Sequence, residues 1–82
     1  MTAIDPVEIK RIRWRSRRGL LELDLVLERF LANRFEQLTA AELAAYRKCL
    51  ELDDTDFLDY VNGKAEVPDP ELTHIIGILR TV

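Results

Sequence analysis

The chain has 82 residues, of which 48% are hydrophobic and 33% are charged, and its formal net charge is -3. This length predicts one domain over residues 1–82 with a modest core, and it argues against a deep catalytic cavity with its own supporting shell. The composition is typical of a folded globular protein and excludes a disordered chain. The acidic balance argues against general nucleic-acid binding.

Cysteine content and hydropathy indicate where the protein works. A single cysteine, Cys49, excludes an intramolecular disulfide framework and fits a reducing compartment. Residues 1–6 lack the apolar segment of a secretory signal. No apolar run approaches the ~20 residues that are needed to span a bilayer. We therefore expect a cytoplasmic protein without membrane insertion.

The first of five predicted helices begins at Pro6 and is expected to run to about Arg17. Asp5 offers an N-cap acceptor, Pro6 suits the first helical position, and Glu8 places a carboxylate in the first turn. The apolar residues of this segment give only a weak hydrophobic face. A glycine interrupts the helical pattern, so we predict a turn at Arg18-Gly19.

The second helix is expected over residues 20–33 and is the most apolar segment of the chain. Its hydrophobic residues recur at the i, i+3 and i+7 spacing of a buried helical face. The predicted stripe comprises Leu20, Leu23, Leu27, Phe30 and Leu31, widened by Leu21, Leu25 and Val26. We expect this helix at the centre of the bundle, with only a narrow polar strip around Glu22 and Arg29.

The last three helices have clear start signals. Thr39 and Glu42 form a capping-box pattern before helix three. Asp53 precedes helix four, Asn62-Gly63 is expected to end it, and Asp69 precedes helix five. The expected inward positions are Leu43, Tyr46, Cys49, Leu50, Phe57, Leu58, Val61, Leu72, Ile75, Ile76 and Leu79. No stretch alternates as a strand would, so we predict an all-α bundle of five helices.

Half of the chain's positive charge lies within residues 10–18, which hold six of its twelve Lys and Arg. Residues 19–82 carry thirteen Asp and Glu against six Lys and Arg, so a cationic surface is displayed on an acidic body. On a continuous helix Arg11, Arg15 and Arg18 would share one face. With Trp14 this cluster could neutralise phosphates and stack a base. It suits an acidic protein surface as well, and the acidic remainder favours a protein partner over nucleic acid.

Signals for catalysis or metal binding are weak. Cys49 fits an inward helical position, and the only histidine, His74, has no base or nucleophile suggested by spacing. No His and Cys grouping has the spacing of a zinc site. The acidic run at 53–56 lacks the glycine and the distal glutamate of a calcium loop. We predict a helix-capping turn there, no metal site, and no enzymatic activity.

The motif Arg18-Gly19-x-x-Glu22 stands where the basic cluster meets the apolar helix. Local physics could explain it without a function, because Glu22 in a first helical turn interacts favourably with the helix dipole and Gly19 serves the turn. A helical Arg18–Glu22 pair would add only about 0.2–0.5 kcal/mol. From the residues alone, a structural and a functional interpretation both stay open.

The longer run Trp14-x-x-Arg17-Arg18-Gly19-Leu20-Leu21-Glu22-Leu23-Asp24 closely resembles the signature of the SdhE family of succinate dehydrogenase flavinylation factors, which is related to the mitochondrial succinate dehydrogenase assembly factor. The likeness continues in the acidic segment at 50–60 and in residues 69–72, ahead of the last helix. It therefore covers nearly the whole chain.

The resemblance implies a factor that binds the flavoprotein subunit of succinate dehydrogenase, and in bacteria that of fumarate reductase. Such factors promote covalent attachment of FAD to a histidine of that subunit. FAD would then be handled through the client, with none stably bound by this chain. The partner-binding residues that carry over are Arg18, Gly19 and Glu22, set among Trp14, Arg17 and Asp24. Arg11 and Arg15 would steer the encounter, and we expect a monomer.

Two other classes of function remain open from the residues. A nucleic-acid-binding module built on the basic N-terminal helix predicts salt-sensitive binding that survives Glu22→Ala. A toxin-neutralising partner, a label that relatives of this family have sometimes carried, predicts a membrane-associated or cytoskeletal target without flavin dependence. Binding of free FAD is disfavoured because the chain has no dinucleotide fingerprint.

Overall fold

The computed structural model describes residues 6–82, which contain helices and no strand. The α-helices are α1 (Pro6–Arg15), α2 (Leu21–Asn33), α3 (Ala40–Cys49), α4 (Asp54–Val61) and α5 (Pro70–Leu79), with a short 3₁₀ helix at Phe35–Gln37. The predicted all-α architecture of five helices is confirmed. The N-cap predicted at Asp5 lies outside the described residues.

Local capping explains where α3 and α5 begin. The Thr39 hydroxyl accepts a hydrogen bond from the Glu42 amide at 3.1 Å, and the Glu42 carboxylate accepts one from the Thr39 amide at 2.9 Å. The predicted capping box is therefore present. Asp69 Oδ1 accepts from the Glu71 amide at 2.9 Å, and Pro70 follows at the first helical position. These bonds satisfy amides that a helix start leaves without an intrahelical partner.

Helix α4 begins and ends at the expected residues. Asp53 occupies the N-cap position, although its side chain makes no capping hydrogen bond. Asn62 is the C-cap, and Gly63 follows with a φ of +73°. A left-handed glycine after the last turn is a common way to end a helix.

All five helices contribute to a single core. Its buried residues are Ile12, Leu23, Leu27, Phe30, Phe35, Ala45, Tyr46, Cys49, Leu50, Phe57, Val61, Leu72, Ile75, Ile76 and Leu79. The Phe30 and Tyr46 rings pack with their centroids 4.7 Å apart. Most of the predicted inward positions are confirmed, whereas Leu43 and Leu58 are only half-buried.

The predicted width of the buried stripe on α2 is wrong. Leu23 and Leu27 are fully buried, but Leu21 is 76% exposed and Leu25 is 48% exposed. Residues two positions apart lie about 200° apart around an α-helix. With Leu23 and Leu27 facing the core, Leu21 and Leu25 must therefore face solvent.

Helix α1 ends at Arg15, two residues earlier than predicted. The Ser16 amide and hydroxyl both donate to the Ile12 carbonyl, at 3.0 and 2.7 Å. Because the chain leaves the helix here, Arg18 does not lie on the same helix face as Arg11 and Arg15. The prediction that all three arginines share one face is therefore wrong for Arg18. None of the helices within residues 6–82 is long and apolar enough to cross a membrane.

Candidate partner-binding site

The link between α1 and α2 turns sharply at Gly19, as the sequence predicted. Gly19 is exposed and has a φ of +83°, a conformation that side chains other than glycine's disfavour. A Cβ atom added here would meet nothing within 4 Å. Backbone conformation, and not crowding inside the molecule, is therefore what favours glycine at this position. The open space beside it leaves the backbone accessible to another protein.

Asp24, in the first turn of α2, fixes this turn from one side. Its Oδ1 accepts from the Arg18 amide at 2.7 Å, and its Oδ2 accepts from the Gly19 amide at 3.2 Å. One carboxylate thus satisfies two consecutive amides that precede the helix. Hydrogen bonds to a carboxylate are stronger than those to a neutral acceptor, so Asp24 restrains the conformation of the turn.

The Arg18 side chain fixes the turn from the other side. Its Nε donates to Asp54 Oδ1 at 2.7 Å, an ion pair between the turn and the start of α4. Its Nη1 and Nη2 donate to the carbonyls of Leu50 and Leu52, at 2.7 and 2.5 Å. A longer bond of 3.3 Å joins Nη1 to the Arg15 carbonyl. These bonds occupy four of the five donors of a guanidinium, and the side chain is only 14% exposed.

Glu22 lies apart from Arg18 in this arrangement. It is exposed on the first turn of α2, and its Oε2 accepts from Asn62 Nδ2 at 3.1 Å. Arg18 pairs with Asp54 and not with Glu22. The motif therefore divides into a half-buried arginine that supports the turn and two exposed residues, Gly19 and Glu22, that are presented at the surface.

An open groove of about 870 Å³ runs beside the turn, between the end of α1 and α2. We call it the Trp14 groove, and its lining includes Trp14, Arg17, Gly19, Asp24 and Leu31. Trp14 is 75% exposed. Tryptophan and arginine are the residue types that most often dominate the energy of protein interfaces. A concave surface with both of them suits a protein partner.

Leu21 and Leu25 add apolar surface on the outer face of α2, next to Glu22. Sequence reasoning missed them as surface residues because it assigned them to the core. The sequence does contain a signal for this second face. Leu21 and Leu25 form an i, i+4 pair that shares one face of the helix, and this pair is shifted by two positions from the buried pair Leu23 and Leu27.

Two residues of the basic cluster at 10–18, Arg13 and Arg17, line the Trp14 groove. Lys10, Arg11, Arg15 and Arg17 are exposed and form no ion pair with any of residues 6–82. Arg13 differs, because its guanidinium lies 5.6 Å from the centre of the Phe35 ring. As far as residues 6–82 are concerned, these four cations have no acidic partner and can attract an approaching acidic surface.

Cys49 and His74, the two residues considered for catalysis, lie in surroundings that a folded core and a surface ion pair explain. Cys49 is buried, and burial raises the pKa of its thiol to about 12, so it is protonated at neutral pH. His74 Nε2 lies 2.7 Å from Glu42 Oε2, a partner that sequence spacing did not reveal. The Thr39 amide, followed by His74, lowers the pKa of Glu42. Within residues 6–82, no three His, Cys, Asp or Glu side chains come together as a metal site would require.

Comparison with known proteins gives matches over most of the chain. The family model described as flavinator of succinate dehydrogenase matches residues 10–82. A protein named FAD assembly factor SdhE from Legionella pneumophila (strain Lens) is 39% identical over 77 residues, which cover 94% of this chain and 96% of the relative. Proteins of the same name from Ralstonia nicotianae and Pseudomonas aeruginosa are 39% identical over 83 residues and 36% identical over 75 residues. These matches cover 95% and 92% of this chain, and 86% and 89% of the two relatives.

Proposed function

Because this chain belongs to the family of SdhE-type FAD assembly factors, we propose that it binds the flavoprotein subunit of succinate dehydrogenase and promotes covalent attachment of FAD to that subunit. Membership confirms the resemblance read from residues 14–24. The match over residues 10–82 carries the proposal, since it covers α2 to α5 and the part of α1 that holds Trp14. The flavoprotein subunit of fumarate reductase is proposed as a second client, and the factor is proposed to act as a monomer.

The role proposed for the chain is to position its client, and it is not that of an enzyme. Bond formation between a histidine and the flavin uses groups of the client and of FAD, because cofactors carry such chemistry while protein supplies orientation. Holding the client's reacting groups in a productive arrangement can raise the rate without any catalytic group from the factor. Consistent with this role, Cys49 is buried with a raised pKa. FAD is proposed to stay with the client.

The exposed part of the motif is proposed to contact the client. Gly19 lets a partner approach the backbone closely, since apart from its chain neighbours nothing lies within 4 Å of where a Cβ would stand. Glu22 offers a carboxylate whose orientation is restrained by Asn62. Trp14 and Leu21, at 75% and 76% exposed, supply the apolar anchors that a stable interface needs.

The exposed cations are proposed to act earlier, during the encounter. Arg17 lines the Trp14 groove, and Arg11 and Arg15 are exposed on α1 of an otherwise acidic chain. Charges at the edge of an interface mainly change the association rate and its dependence on salt. Removing one of them should slow association at low ionic strength while leaving dissociation nearly unchanged.

Covalent flavin on the client tests this function. Purified apo-flavoprotein subunit of succinate dehydrogenase is mixed with FAD, with or without the chain, and in-gel flavin fluorescence is followed over time. The chain should accelerate labelling, Glu22→Ala should remove the acceleration, and Glu36→Ala should keep it. Glu36 is a matched control because it is an exposed glutamate beyond the opposite end of α2. Equal labelling with and without the wild-type chain would contradict the proposal.

A further inference from the structure

Arg18 is held at both ends by different parts of the fold. Its amide is bound by Asp24 of α2, and its guanidinium is bound by Asp54 and by the carbonyls of Leu50 and Leu52. We call the guanidinium, the Asp54 carboxylate and these two carbonyls the Arg18 clamp. The clamp joins the turn before α2 to the link between α3 and α4 and to the first residue of α4, 32 to 36 residues further along the chain.

The geometry of the clamp is specific to arginine. The planar guanidinium donates along separate directions to one carboxylate and two carbonyls, at 2.5 to 2.7 Å. A lysine ammonium is a point charge on a flexible stem and cannot reproduce this fork. The Arg18 side chain is 14% exposed and the Asp54 side chain 37% exposed, so the clamp is partly shielded from water.

Support for the turn and contact with the client are therefore separate roles. Four of the guanidinium donors are already used inside the molecule, so a partner would have to break these bonds to use them. Gly19 directly follows Arg18 in the chain, and Glu22 lies in the first turn of α2, three residues after Gly19. The position of both depends on where the clamp and Asp24 hold the backbone of Arg18.

We propose that Arg18 and Asp54 are positioning residues: they lock the Arg18–Gly19 turn in the conformation that presents Gly19 and Glu22 to the client, and the Arg18 guanidinium does not itself bind the client. This inference deepens the proposed function and depends on it for the identity of the client. It assigns to the acidic turn at the start of α4 a role in the site, although that turn is remote in sequence.

The first test uses the free chain and needs no client. Amide hydrogen exchange of Arg18 and Gly19 is measured by NMR in wild type, Asp54→Ala and Asp56→Ala. Asp56 is a matched control, because it lies in the same first turn of α4, is exposed and makes no ion pair with residues 6–82. Asp54→Ala should accelerate exchange of both amides at least about tenfold, a change of the size expected when a charge-assisted contact is lost. Asp56→Ala should leave the exchange of both amides unchanged.

The second test separates positioning from direct contact. Dissociation constants for the apo-flavoprotein subunit are measured for Arg18→Ala, Asp54→Ala and the double variant. If Arg18 acts only through the clamp, adding Asp54→Ala to Arg18→Ala should change the constant by no more than about twofold. Arg18→Lys should bind as weakly as Arg18→Ala, since it keeps the charge and loses the fork. Rescue by lysine, or additive losses in the double variant, would overturn the proposal in favour of direct contact.

The outcomes distinguish this inference from the proposed function. If the wild-type chain neither binds the client nor accelerates flavin attachment, the proposed function fails. Whether the Arg18 clamp restrains the turn is then tested by the exchange experiment alone. Unchanged amide exchange in Asp54→Ala would overturn the claim that Asp54 restrains the turn, whether or not the chain binds the client. Faster exchange with undiminished client binding overturns the claim that the clamp serves this site. Should Asp54→Ala unfold, Asp54→Asn replaces it, because an amide oxygen can still accept from Nε at reduced strength.

Discussion

The hydroxyl groups of Ser16 and Tyr46 lie 2.7 Å apart, although 30 residues separate them in the chain. Ser16 is 4% exposed and Tyr46 is fully buried. The single hydroxyl hydrogen of Ser16 is directed at the Ile12 carbonyl at 2.7 Å, so Tyr46 donates and Ser16 accepts. The bond holds the end of α1 against α3, just before the Arg18–Gly19 turn.

Replacing Tyr46 by phenylalanine removes this bond and keeps the ring in the core. The buried Ser16 oxygen loses its donor, so Tyr46→Phe should lower the free energy of unfolding by about 1 kcal/mol. Urea unfolding followed by circular dichroism measures the loss. Tyr60→Phe is the control, since Tyr60 is only half-buried. Equal stability of wild type and Tyr46→Phe would show that the bond is not formed in solution.

Stability should fall at alkaline pH because of two buried groups. Burial raises the pKa of Tyr46 from 10.0 to about 12 and that of Cys49 from 9.0 to about 12. The folded state therefore keeps protons that the unfolded state releases, so the stabilisation is complete below pH 9 and is lost as the pH rises towards 12. Thermal unfolding midpoints measured from pH 7 to 11 should be level at first and then decline. The decline between pH 10 and 11 should be shallower in Tyr46→Phe, and a level profile throughout would contradict the pKa shifts.

Cys49 should resist alkylation in the folded protein. Its thiol is fully buried and protonated at neutral pH, and thiolate is the form that reacts. Iodoacetamide at pH 8 should label the chain slowly under native conditions and rapidly in urea, as followed by mass spectrometry. Fast labelling of the folded chain would instead indicate an accessible, reactive cysteine and would reopen the question of nucleophilic chemistry.

Features with local causes could be predicted from the sequence. The capping box of Thr39 and Glu42 and the cap at Asp69 depend on residues within one helical turn, and all of them form as expected. The turn at Gly19 was likewise predicted, because a helix pattern was interrupted by a residue with no side chain. The family resemblance also rests on contiguous motifs, which sequence comparison reads directly.

Features with non-local causes could not be predicted. Arg18 and Asp54 are 36 residues apart, and nothing in either segment specifies the other as its partner. Leu21 and Leu25 were assigned to the core because α2 is apolar on more than one face, and sequence alone does not say which face meets another helix. Both cases depend on how distant segments pack, and this packing decides which side chains remain available for a partner.

Gly19 is the central residue of the proposed site, because the client is proposed to approach the backbone there. Gly19→Ala introduces a left-handed alanine that costs about 1–2 kcal/mol, and it adds one methyl group that meets nothing within 4 Å. Gly19→Arg has the same backbone strain and adds a long side chain on the exposed surface. The two variants should therefore be folded and similarly stable, and differ only in what they present to a partner.

The most direct measurement is the dissociation constant of each variant for the apo-flavoprotein subunit, determined by calorimetry alongside circular dichroism of the free chains. We predict that Gly19→Ala keeps binding, that Gly19→Arg abolishes it, and that both have the helicity of the wild type. Binding of Gly19→Arg with wild-type affinity would contradict the account, because the client would then not approach the chain at this turn. Loss of helicity in Gly19→Arg alone would assign the glycine a purely structural role.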